Sequence, residues 1–122
     1  MAKILIIDDS ALSRRVMRKI LIEAGHEVVE ATDGFSALEL FTIEHPQLVL
    51  LDLTMPGING LDVLKQLKAI APSAKVVIAS ADVQNLTKDL ARQYGADGFI
   101  NKPFVEEEVL EVVASLTEKG KI

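Results

Sequence analysis

The chain has no cysteine, which excludes a disulfide framework and any thiolate metal site and suits a cytoplasmic protein. Basic residues are not in excess: 13 Lys and Arg face 18 Asp and Glu, for a net charge of −5. A nucleic-acid surface needs a basic patch to replace counterions, so direct nucleic-acid binding is not expected. No apolar run reaches membrane length, and only four apolar residues separate Lys3 from Asp8, too few for a signal-peptide core. Internal repeats, low-complexity tracts and linkers are also missing. What is present, 122 residues with 49% hydrophobic and 25% charged, suits one domain over residues 1–122 with a sizeable core.

Short β-branched runs alternate with longer segments of helical period. Strands are predicted at Lys3–Ile7, Glu27–Ala31, Leu48–Leu51, Lys75–Ser80 and Gly98–Asn101. The runs "ILII", "LVLL" and "VVIAS" are apolar without alternation, as strands covered on both faces should be. Helices are predicted near Ala11–Ala24, Phe35–Glu44, Leu61–Ala71, Leu86–Tyr94 and Val105–Thr117. In the first, Leu12, Val16 and Ile20, flanked by Met17 and Leu21, have the spacing of a buried stripe; in the last, Val109, Val112, Val113 and Leu116 do. Gly25 and Gly95 fall where helix ends favour positive φ, and Pro46, Pro72 and Pro103 lie between or at the edges of periodic segments. Five strands alternating with five helices predict an α/β fold, a parallel sheet with helices on both faces.

In such a sheet, function gathers at the carboxyl ends of the strands. Those ends carry Asp8 and Asp9, Asp52, Ser80 and Lys102. The first strand reads "ILIIDDS", with no basic residue near the two acids until Arg14. Asp9 or Ser10 could simply cap the following helix. That reading leaves the second acid unexplained, as well as Asp52 in front of "LTMPG", whose Pro56 and Gly57 suggest an open loop. If the first and third strands are neighbours, three carboxylates converge, and like charges that close raise one another's pKa unless a cation intervenes. All-oxygen donors indicate a hard dication, best Mg²⁺, which takes one or two carboxylates and keeps waters for a phosphate to displace. Lys102 would add a mobile positive charge and Ser80 a hydroxyl donor. The set suits phosphoryl transfer to an aspartate, with Asp52 the better nucleophile and Asp8 and Asp9 the metal-holding pair. His26 and His45 lie apart from the acids and read as surface residues. Glu106–Glu108 open the last helix, where negative charge suits the helix dipole, and Tyr94 reads as packing.

The motifs "IIDDS", "LLDLTMPGINGLDVL", "VIASA" and "GADGFINKPF", in this order and spacing, resemble the response-regulator receiver domain, the CheY-like family. The resemblance runs from about Ala2 to the last helix and implies a flavodoxin-like sheet of strand order 2-1-3-4-5. It implies that Asp52 is the phosphoacceptor, that Asp9 binds Mg²⁺ directly and Asp8 through water, and that Asp52 and the Thr54 backbone carbonyl complete the site. It further implies that Lys102 pairs with the phosphoryl group, that Ser80 hydrogen-bonds it, that Phe99 is the switch aromatic, and that the Lys102–Pro103 bond is cis. Thr54 and Asp82 occupy positions that tune self-dephosphorylation in this family. Phe99 stands where a tyrosine is often found, so its swing has no phenolic hydrogen bond to lock it.

The implied partners are a histidine kinase or histidine phosphotransfer protein upstream, and a protein downstream that reads the surface of the fourth helix, fifth strand and fifth helix. The expected protein is a cytoplasmic two-component switch, a monomer with dimerisation open once phosphorylated, that promotes only its own phosphorylation and dephosphorylation. Chemotaxis and a phosphorelay shuttle both fit. A receiver cut from a DNA-binding regulator is the alternative. Against it, the chain ends just after the last helix, and only Lys119 and Lys121 follow Leu116 where dimerising transcriptional receivers are basic. An aspartyl-phosphate phosphatase would carry Asp-x-Asp after its first strand and a cap or larger core. A flavin module would need a hydroxyl- and glycine-rich phosphate loop where "DDSALSRR" stands.

Overall fold

A computed structural model describes residues 1–55, 59–81 and 85–117. Asp82, the Pro56–Gly57 loop, and Lys119 and Lys121 lie outside the described residues. The elements run β1 (Lys3–Ile7), α1 (Ala11–Glu23), β2 (Glu27–Ala31), α2 (Gly34–Glu44), β3 (Leu48–Leu51), α3 (Gly60–Ile70), β4 (Lys75–Ser80), α4 (Asn85–Gln93), β5 (Gly98–Asn101) and α5 (Glu106–Thr117). All five strands match the sequence-based bounds, and each helix end lies within one residue of its expected place. The sheet is parallel throughout, in the order β2-β1-β3-β4-β5.

The uniform strands are explained by two cores. Leu5, Ile7, Val49, Leu51, Val76 and Ile78 pack on one face against Ala37 and Phe41 of α2, Val63, Leu64 and Leu67 of α3, and Ala91 of α4. Alternate residues Ile4, Ile6, Leu48, Leu50, Val77 and Ala79 pack on the other face against Met17, Ile20 and Leu21 of α1 and Val109 and Val113 of α5. Successive side chains of a strand point to opposite faces, so burying both faces demands apolar residues at every position. Each such Leu or Ile contributes about 1.5–3 kcal/mol by leaving water. The edge strand β2 keeps polar Glu27 and Glu30 on either side of its half-buried valines.

The predicted stripe of α1 needs correction. Leu12 is 68% and Val16 38% exposed, while Met17, Ile20 and Leu21 fill the core. Leu12 and Val16 instead flank the helix and, with Pro103 and Phe104, line a shallow hollow of about 180 Å³. In α5 the stripe is as expected: Val109 and Val113 are fully buried, with Val112 and Leu116 packed beside them. Gly25 and Gly95 have φ of 92° and 104°, the left-handed conformation expected of them. At the end of α2, His45 takes that conformation without being glycine, at φ 49°, and is exposed. His26 is not a plain surface residue: half-buried, it accepts a hydrogen bond at Nδ1 from the Ala2 amide at 3.1 Å.

Candidate functional site

Strand register builds the site. Ile7 pairs with Leu51 in the parallel β1–β3 ladder, so the next residues, Asp8 and Asp52, emerge side by side. The Asp52 amide extends that ladder by donating to the Ile7 carbonyl at 2.9 Å, and the Asp8 amide donates to Ala31 at 3.1 Å. On the other side β3 pairs with β4, which ends at Ser80, and the Lys102 amide donates to the Ser80 carbonyl at 3.3 Å. Hydrogen-bonded backbone thus carries all four groups to one end of the sheet.

Asp8 and Asp52 are buried, 3% and 2% exposed, and Asp9 is exposed. One carboxylate oxygen from each of the three lies within 4.8 Å of the others, close enough to share an ion. Lys102 Nζ enters this cluster, 2.9 Å from Asp8 Oδ2 and 3.4 Å from Asp52 Oδ2. Asp52 Oδ1 accepts from Ser80 Oγ, from the Thr54 amide at 3.0 Å and from Thr54 Oγ1 at 2.8 Å. Ser80 Oγ is itself held by the Leu53 amide at 2.8 Å. The turn after β1 is folded by local bonds: Asp8 Oδ1 accepts from the Ser10 amide at 2.9 Å, and Ser10 Oγ caps α1 by accepting from the Ser13 amide at 3.2 Å. Capping and site-building therefore coexist in "DDS".

The two buried acids shift in opposite directions. Burial raises the Asp8 pKa above the usual carboxylate value; Lys102 and the Ser10 amide only partly offset this, and the Asp52 charge adds to it. Burial acts on Asp52 too, but donation from Ser80 and Thr54 and the Lys102 charge outweigh it and hold Asp52 below its usual value. Burial would lower Lys102, yet its hydrogen bond to Asp8 and the charges of both acids raise it, so it stays protonated. The donor set is three carboxylates and no nitrogen or sulfur, which fits a hard dication and above all Mg²⁺.

Residues 4–114 match the response regulator receiver domain family. The chain belongs to that family. Relatives of this receiver include the chemotaxis protein CheY of Thermotoga maritima, 38% identical over 95% of this chain and 98% of that protein. The CheY of Bacillus subtilis is 41% identical over 91% of this chain and 93% of its own length. Among solved structures, NtrX from Brucella abortus superposes with a TM-score of 0.92 at 34% identity, covering 98% of this chain and 27% of that one.

The receiver brings together the strand-end residues Asp8, Asp9, Asp52, Ser80 and Lys102, with Thr54 bonded to Asp52 beside them. The Lys102–Pro103 bond is cis. Phe99 is half-buried on β5, with Arg92 and Lys88 of α4 over its ring at 4.9 and 5.8 Å from the centroid. Tyr94 packs against the core under Lys65, and Glu106–Glu108 occupy the first turn of α5, both as read from the sequence. Sequence reasoning passed over Gly60, where an added Cβ would lie 2.6 Å from the Leu53 Cα; the start of α3 rests against the backbone just after Asp52. It also passed over Arg14 and Glu30. The only signal was that Arg14 is the first basic residue after the acids. Among the described residues, no helix is long and apolar enough to cross a membrane.

Proposed function

We propose that this receiver is a phosphorylation-driven switch whose acceptor is Asp52, with residues 1–122 acting as one receiver domain. The setting of a single side chain carries the proposal. Asp52 is a buried carboxylate kept ionised, with one oxygen held by three donors and the other 3.4 Å from a lysine, beside two further acids. The phosphoryl donor is a phosphohistidine of a kinase or phosphotransfer protein, or a small acyl phosphate. Asp52 Oδ2, whose partner among the described residues is Lys102, attacks phosphorus. With phosphohistidine the phosphorus–nitrogen bond breaks, its electron pair stays on the imidazole, and the imidazole takes up a proton; with an acyl phosphate the phosphorus–oxygen bond breaks and a carboxylate leaves with the pair.

The side chains of Asp8, Asp9 and Asp52, with the Thr54 backbone carbonyl, would hold Mg²⁺, which when bound supplies charge neutralisation for the phosphoryl oxygens. Lys102, already drawn in by Asp8 and Asp52, pairs with the new phosphoryl group. Ser80 has one hydroxyl proton, now given to Asp52 Oδ1. It cannot serve that oxygen and a phosphoryl oxygen together, so phosphorylation draws it outward. Phosphorylation adds charge of about −1.5 to −2 and three acceptors. The motion of Ser80 frees Phe99 to turn, and the α4–β5–α5 face presented to a partner changes. Moving such a switch from 1:99 to 99:1 takes roughly 5.5 kcal/mol, shared between phosphoryl contacts and partner binding. Thr54, bonded to Asp52 through both its amide and its hydroxyl, and Asp82 are the residues proposed to set the lifetime of the modified state. Near-full-length similarity to two proteins named CheY supports a place in chemotaxis.

Acetyl phosphate with Mg²⁺ should add one phosphoryl group per chain, read by intact mass, and Asp52→Asn should take none. Equal labelling of the variant would remove Asp52 as the acceptor.

A further inference from the structure

We propose that Arg14 is a positioning residue for the divalent-ion pocket, acting through the Asp8 backbone carbonyl; this rests on the Mg²⁺ reading above. Asp8 and Asp9 can face Asp52 only if the turn after β1 holds its shape. Arg14 Nη1 donates to the Asp8 carbonyl at 2.9 Å. The same guanidinium presents Nε to Glu30 Oε1 on β2 at 3.3 Å, and the other Glu30 oxygen meets Arg18 Nη1 at 3.4 Å. The Arg14 side chain is 18% exposed against 57% for Arg18, so the first contact is sheltered and the second is solvated. A planar guanidinium reaches two acceptors at once, here the turn and the neighbouring strand; a lysine ammonium is a point charge without that fork. Arg14 thus ties the acidic turn to the sheet edge from outside the pocket.

Charge alone predicts the opposite effect. A cation near three carboxylates opposes a dication, so removing it would tighten Mg²⁺ binding. Glu30, shared with the more solvated Arg18, offsets the Arg14 charge at short range, and the sign of the change separates geometry from charge. Groups that orient metal ligands from behind are worth about 10–100-fold in metal affinity.

The test is calorimetric Mg²⁺ titration of the full chain, wild type, Arg14→Met, Arg14→Lys and Arg18→Met, each first shown by circular dichroism to be folded without metal. Arg14→Met should bind Mg²⁺ about tenfold more weakly. Arg14→Lys should recover part of the loss, and Arg18→Met, which leaves the Asp8 carbonyl contact intact, should bind like wild type. Unchanged or tighter binding by Arg14→Met overturns the proposal, as does equal weakening by Arg18→Met. If Arg14→Met does not fold, Arg14→Lys decides: weaker binding supports the proposal and wild-type binding ends it. A wild-type chain that binds no Mg²⁺ overturns the pocket reading itself, and this proposal with it.

Discussion

At the amino-terminal end of the sheet, Lys68 donates to the Ala74 carbonyl at 2.6 Å and to Asp97 Oδ2 at 2.9 Å, and that same oxygen accepts from the Val76 amide at 2.9 Å. At the carboxyl-terminal end, Lys102 meets Asp8 at 2.9 Å and Asp52 at 3.4 Å, with Asp9 close by. Both are sheltered lysines among carboxylates, with side chains 17% and 19% exposed. They differ in balance. Lys68 and Asp97 close a neutral network that joins α3, β4 and the approach to β5, and it calls for nothing further. Lys102 leaves two negative charges over, one of them on exposed Asp9, in the part of the fold where strand ends meet. An unbalanced buried cluster is costly by itself and becomes favourable once a cation and a phosphoryl group complete it.

The contrast can be tested one lysine at a time. Lys102→Met would leave Asp8 and Asp52 buried without their cation, a change of the class that costs about 3–5 kcal/mol. In metal-free buffer its melting temperature should fall sharply, and saturating Mg²⁺ should restore most of the loss. Ion binding at 100 times its dissociation constant is worth about 2.7 kcal/mol. A melt that ignores Mg²⁺ would break the comparison. Lys68→Met should cost less, about 1–3 kcal/mol for the donors lost by Ala74 and Asp97, and the deficit should be the same with and without Mg²⁺. A deficit that Mg²⁺ repairs would show that the two ends are not separate.

The smallest effect sharpens the comparison within the pocket. Asp8 has a raised pKa in the fold, so its contribution to stability is fully present below the ordinary carboxylate value and is lost as pH rises through the raised one. Asp52 has a lowered pKa, so its contribution is present above the ordinary value and is lost as pH falls through the lowered one. Metal-free Asp8→Asn should therefore melt above wild type near pH 7, with the gap closing as pH falls into the carboxylate range. A variant that melts below wild type at neutral pH would show that the Lys102 contact outweighs burial.

Much of this was legible in the chain, for identifiable reasons. Strands buried on both faces leave short uninterrupted apolar runs, so "ILII" marked β1 to within one residue and "LVLL" coincides with β3. The acids that stop those runs marked the site. Other features had no local signal. Leu12 and Val16 carry helical spacing yet face outward, because which flank of α1 is buried depends on where α5 and the Pro103–Phe104 loop lie. The tie between Arg14 and Glu30 depends on β2 sitting beside β1, and the Ala2–His26 bond on the same pairing.

Residue order alone determined the alternation of elements, the apolar strands and the identity of the chemical groups at the strand ends, because periodicity and turn chemistry act over a few neighbouring residues. Only the folded sheet decided that Lys102 meets Asp52 across fifty positions of chain, that Ser80 hydrogen-bonds it, and that Asp8 and Asp52 shift in opposite directions. Distances, burial and charge balance belong to strand register and packing, and no short window of sequence contains them.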